Sequence, residues 1–192
     1  MGMAQEKFKI KNLKLKIIKS FPRIIIFLTL LIIISSKNIN AESSYVLPYP
    51  SFMPGSSFYK LNLIKEEILK YWYFGNFGKF DYNLKQSDRY LIEAKTLFEY
   101  KQFLLGYKAL KKSDMHFKYL LLNLNAAQDE NKNMDSKRKI LKEAALKHIE
   151  ILSDLKKEIP EIFLWQPEKS QPTYLYLKKN IEQSISVRIK NL

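Results

Sequence analysis

The chain has 192 residues, with 33 lysines and arginines against 19 aspartates and glutamates, a formal charge of +14 and no cysteine. The missing thiol excludes disulfides, thiolate metal sites, a cysteine nucleophile and a lipid-anchored cysteine. Much of the basic excess is N-terminal: residues 1–41 hold eight basic side chains and one acidic, leaving 25 against 18 afterwards, too modest for a nucleic-acid-binding surface.

Lys7, Lys9, Lys11, Lys14, Lys16, Lys19 and Arg23 precede an apolar run from Ile24 to Ile34. Eleven helical residues span about 16 Å, half of a bilayer core, which is the length of a signal-peptide core and short for a spanning helix. Ile39-Asn40-Ala41 offers a small-residue cleavage site before Glu42. Residues 1–41 therefore read as a signal peptide, or as a short N-terminal membrane anchor if uncleaved. Either way residues 42–192 are expected outside the cytoplasmic membrane, secreted or in the cell envelope. They are long enough to build one core as a single domain.

From Tyr45 to Tyr59 the chain carries Pro48, Pro50 and Pro54 with Leu47, Tyr49, Phe52 and Met53 between them. Proline fixes φ and keeps its predecessor extended, so this segment reads as an extended strap whose apolar side chains pack onto helices. Leu61, Ile64, Ile68 and Tyr71 then recur at helical spacing, predicting an amphipathic helix from about residue 57 to 74, ended by Gly75-Asn76-Phe77-Gly78. Phe80, Leu84, Ser87, Leu91, Ala94 and Phe98 form the stripe of a second helix. Phe103, Gly106, Tyr107, Leu110, Phe117, Leu121 and Leu124 form that of a third, with Gly106 and Ser113 small enough for a neighbour to approach closely.

The polar stretch from Gln128 to Lys139 predicts a turn, although no Gly or Pro forces one, and a continuous helix is the rival. Leu141, Ala145, His148, Leu152, Leu155 and Ile159 mark a fourth helix stopped by Pro160. An apolar connector with three prolines follows to Pro172, and Tyr174, Leu177, Ile181 and Ile185 suggest a last helix from Thr173 to about Lys190. No strand-like alternation of useful length is present. The expected fold is an all-α antiparallel bundle of about five helices behind an N-terminal Pro-rich strap.

The strap resembles that of an uncharacterised family of exported bacterial helical proteins known only as a domain of unknown function. Leu47-Pro48-Tyr49-Pro50 matches its Leu-Pro-Tyr-Pro-Gly pattern with Ser51 in place of the Gly, and Pro54 and Tyr59 match its further Pro and the Tyr that opens the first helix, with Ser57 where a Pro often stands. Arg89, Leu91, Glu93 and Ala94, then Ile159-Pro160-Glu161, and then Ile181-Glu182-Gln183-Ser184 are similar to later family patterns. The resemblance implies an exported helical domain and supplies no activity and no site residues.

No Gly-x-Ser-x-Gly elbow, P-loop or dinucleotide fingerprint exists, so no cofactor is expected. His148 has Ile151 and Leu152 where a metal site would want Glu or His, and His116 reads as a structural or surface residue, so no metal ligand is assigned. Asp114 falls within the third stripe. A buried carboxylate there would serve an envelope hydrolase, or pair with a cation of a neighbouring helix such as Arg89. The aromatic run around Tyr71, Trp72, Phe74 and Phe77, with Trp165, reads as a corner of the core or as a patch for a protein partner or a membrane surface. The functional expectation is an interaction or structural module of the cell envelope, with a hydrolase or a peripheral membrane-binding protein as the alternatives.

Overall fold

A computed structural model describes residues 45–49 and 52–192; the leader assigned to residues 1–41, together with Pro50 and Ser51, lies outside the described residues. Five helices follow the strap: α1 (Tyr59–Lys70), α2 (Gly75–Glu99), α3 (Phe103–Asp129), α4 (Asp135–Glu158) and, after two short strands, α5 (Leu177–Ile189). The strands β1 (Ile162–Trp165) and β2 (Thr173–Tyr176) pair antiparallel, Ile162 opposite Tyr176 and Trp165 opposite Thr173. Helices α2 and α3 share the most extensive interface, and α5 lies against both α3 and α4.

All six residues of the α2 stripe are buried. Where α2 meets α3, the Ser87 hydroxyl donates to the Ser113 carbonyl at 3.0 Å, and the Ser113 hydroxyl to the Ser87 carbonyl at 2.8 Å. Small side chains bring the backbones close there, and the exchange keeps both hydroxyls satisfied. Gly106 does the same nearer the hairpin: a Cβ on it would stand 2.9 Å from the Phe98 ring.

The core has two apolar halves. One gathers Leu91, Phe98, Leu110, Leu152, Leu177 and Ile181, the other Phe80, Leu84, Phe117, Leu124, Leu141 and Ala145. Between them, on every helix that crosses the boundary, stand the buried polar residues: Ser87 and Asp88, Ser113 and Asp114, His148, then Ser184 and Arg188. The strap packs only in part: Leu47 and Met53 lie against the first half and Tyr45 against the second, whereas Tyr49 and Phe52 stay exposed.

The expected turn between α3 and α4 exists. Asn131 takes the left-handed conformation (φ 57°), which asparagine tolerates better than most residues, so no glycine is needed. Three expectations need correction. First, Asn76, Phe77 and Gly78 do not end the first helix; Gly75, at φ 67°, opens α2, and the other three belong to it. Second, Pro160 to Tyr176 is not a connector running into a helix. Ile159 adopts extended backbone ahead of Pro160, and the β-branched and aromatic residues beyond it form the hairpin, burying Leu175 in the core. Third, α1 buries none of its residues, and its apolar stripe turns outward.

Candidate functional site

Two polar constellations stand out, one sealed and one open. The sealed one is the layer between the core halves. The Tyr45 phenol donates to Asp88 Oδ2 at 2.6 Å, and His148 Nε2 lies 2.8 Å from Asp88 Oδ1. On its other side His148 Nδ1 receives the Arg188 Nε–H at 3.4 Å. Arg188 cannot accept, so Nδ1 is the acceptor and Nε2 carries the proton to Asp88. Arg188 then pairs with Asp114, donates to Ser113 Oγ at 2.8 Å and to the Ser184 carbonyl at 3.1 Å, while Ser184 Oγ donates to Asp114 Oδ2 at 2.7 Å.

Burial holds His148 below its ordinary pKa, with Arg188 adding to the effect against the pull of Asp88, so the ring is neutral. Burial also raises the Tyr45 hydroxyl, helped by the Asp88 charge, and keeps it a donor. This layer ties the strap and four helices together. Asp114 finds its cation in Arg188 rather than in Arg89.

The open constellation is a cleft of about 840 Å³ between α1, the corner after it, α2 and α3. That volume lies in the range of ligand-binding pockets. Its wall is a chain of rings: Tyr73 lies 5.6 Å from Tyr82, Tyr82 meets His116 edge-on at 6.0 Å, and His116 stacks on Tyr90 at 5.7 Å with planes 7° apart. Tyr71 and Tyr119 complete the aromatic lining, and Lys70, Lys79 and Lys112 stand around it.

Asn83 donates its amide to the Lys79 carbonyl at 2.8 Å, which turns its oxygen to His116 Nδ1, also at 2.8 Å. His116 is therefore protonated on Nδ1, leaving Nε2 as its acceptor. Burial, with the charges of Arg89, Lys112 and Lys70, lowers its pKa to about 4. Asn123, also in the lining, has a buried Nδ2 without a hydrogen-bond partner. Rings, an imidazole acceptor and an amide donor suit a flat or extended ligand.

Helix α1 roofs this cleft on polar ties. Arg89 NH2 lies 2.6 Å from Glu66 Oε2, a close ion pair that lacks the alignment of a hydrogen bond, and NH1 lies 3.7 Å from Glu93. The guanidinium covers the Tyr90 ring at 4.0 Å, and the Tyr59 phenol donates to Glu93 Oε1 at 2.9 Å. Burial raises the Glu66 and Glu93 carboxyls above the ordinary range and outweighs the attraction of Arg89.

The five aromatic residues singled out from the sequence do not form one patch. Tyr71 lines the cleft, while Trp72 lies on the outer side of α1. Phe74 is exposed, Phe77 packs against the Phe117 half of the core, and Trp165 against the other half from β1. From the sequence Tyr82 reads as the far end of the aromatic corner and His116 as a structural or surface residue, and nothing singles out Tyr90 or Tyr119; the convergence of the four depends on α2 and α3 being neighbours. Among the described residues no three His, Asp or Glu side chains gather as a metal site.

The fold and site together define a helical bundle with a roofed, tyrosine-lined cleft and a sealed polar core. Comparison with protein-family models, curated proteins and solved structures gives no match.

Proposed function

We propose that the chain is an exported module of the cell envelope that holds a segment of a protein partner in the tyrosine cleft. The observation that carries this reading is the ring chain Tyr73–Tyr82–His116–Tyr90 along one wall of a cleft large enough for several side chains. Tyrosines offer rigid apolar faces and polar tips, the combination by which binding surfaces gain area at low entropic cost. The basic n-region, the apolar run and Ala41 support export, and the moderate basic excess after residue 41 argues against nucleic acid.

An envelope hydrolase would need Asp114 beside a second titratable group inside a cleft. Asp114 is held by Arg188 and Ser184 in the sealed layer, and neither it nor His148 lines the cleft. That arrangement favours a structural role for the carboxylate.

The test is affinity capture from envelope extract by the exported protein. A discrete partner is expected with the wild type and with Trp165→Ala, and is lost in Tyr82→Ala/Tyr119→Ala. Equal recovery by the cleft variant, or residence of the chain in the cytoplasm with residues 1–41 intact, overturns the reading.

A further inference from the structure

Helix α1 is mounted with its sides reversed. Its polar side faces the protein, where Glu66 meets Arg89, Asn62 donates to Glu66 at 3.0 Å and Tyr59 reaches Glu93. Its apolar row faces out: Leu61 is 60% exposed, Ile64 58%, Ile68 57% and Trp72, just past its end, 74%. Leu61, Ile64 and Ile68 follow one another at three and four residues and so share a side. With Trp72 they line a shallow groove on the outer surface, and Phe58 continues the row beyond the helix start. A surface helix normally buries such a row, and a contiguous exposed one marks a contact site.

The charges around the row indicate what covers it. Lys60 and Lys65 edge it, both exposed, and Lys65 lines the groove itself. The carboxylates of α1 are engaged elsewhere, Glu66 by Arg89 and Glu67 by Lys70. A two-fold pairing with a second copy would bring the lysine edges toward their own duplicates. A bilayer surface with anionic headgroups takes an apolar row, an end-placed indole and flanking ammonium groups together, without needing a complementary shape.

We infer that α1 is an interfacial helix that rests Leu61, Ile64, Ile68 and Trp72 in the headgroup layer of an anionic bilayer, with Lys60 and Lys65 against the phosphates. The cleft lies on the opposite side of α1, so this contact and the capture of a partner are independent, and failure of either leaves the other standing.

The experiment uses the full chain as isolated, with Trp165→Phe making Trp72 the sole indole. Vesicles of phosphatidylcholine with one-third phosphatidylglycerol carry brominated acyl chains, which quench an indole only at close range. Quenching of Trp72 is expected. Ile64→Asp/Ile68→Asp should weaken it about tenfold or more, since both charges would enter the apolar layer. Lys60→Glu should weaken it about fivefold or more, and high salt should weaken it too. Both sites are exposed, so unchanged helical circular dichroism is the check that the variants fold. No quenching by anionic vesicles overturns the inference, and so does equal quenching of the aspartate variant. Shielding of Trp72 without lipid, accompanied by self-association in sedimentation, would overturn it in favour of a second copy.

Discussion

Arg188→Met puts the sealed polar layer under the sharpest test. The methionine keeps most of the buried stem and removes a guanidinium that is 0% exposed, sits 4.9 Å over the Phe117 ring and is bonded to Asp114, Ser113, Ser184 and His148. Asp114, 6% exposed, would keep only the Ser184 hydroxyl. Breaking a buried pair by removing one partner costs about 3–5 kcal/mol, against a total stability of about 5–15 kcal/mol. With a urea slope near 2 kcal/mol/M, the midpoint should fall by about 2 M, followed by helical circular dichroism. Adding Asp114→Asn removes the orphaned charge, so the double variant should recover about 2 kcal/mol relative to the sum of the single costs. A loss below about 1 kcal/mol in Arg188→Met, or strictly additive costs in the double variant, would refute a charge-paired layer.

The two imidazoles give a second prediction: nitrogen-detected NMR at pH 6 should find both neutral, His148 protonated on Nε2 and His116 on Nδ1. The unfolded chain protonates them near pH 6.5 and the fold resists it, so their contribution to stability is present above that pH and lost as pH falls below it. The loss is at most about 1.4 kcal/mol per pH unit for each ring, and less for the half-buried His116. Glu66 and Glu93 act in the opposite sense, so the His116 share is read as the difference in pH slope between wild type and His116→Gln. Gly106→Ala should destabilise the protein by about 1 kcal/mol in urea melts, because displacing the buried Phe98 ring outweighs the gain in helix propensity. Tyr45→Phe removes the hydroxyl bonded to Asp88; a loss of about 1–2 kcal/mol and faster proteolysis within the strap are expected.

Much of the bundle is legible in the sequence, since its strongest signals are periodic. The α2 stripe and the α4 stripe from Leu141 to Leu155, with Ile159 just past its end, stand buried where their spacing puts them. Spacing marks an apolar side without saying which way it faces, so the outward turn of α1 could not be read. The direction is set by Arg89, thirty residues from Tyr59, through its contact with Glu66. Four-residue strands are too short for alternation to register, and Tyr174 could be fitted to a helical stripe that begins only at Leu177. Arg188 looks like an ordinary cation in a last helical turn; its burial follows from the placement of α5 against α3 and α4. The cleft shows in the sequence only as the aromatic corner around Tyr71 and Tyr73. Its remaining rings, Tyr82, Tyr90, His116 and Tyr119, lie on α2 and α3, and no spacing within one helix brings them together.

The most direct measurement of the central claim is photocrosslinking in the cells that make the protein, with a benzophenone side chain at Tyr119 in the cleft or at the exposed Lys139 on α4. A single adduct in the envelope fraction is expected from position 119, abolished by Tyr82→Ala and absent from position 139. Adducts of equal yield from both positions, or none from position 119, would contradict the cleft as the partner's seat.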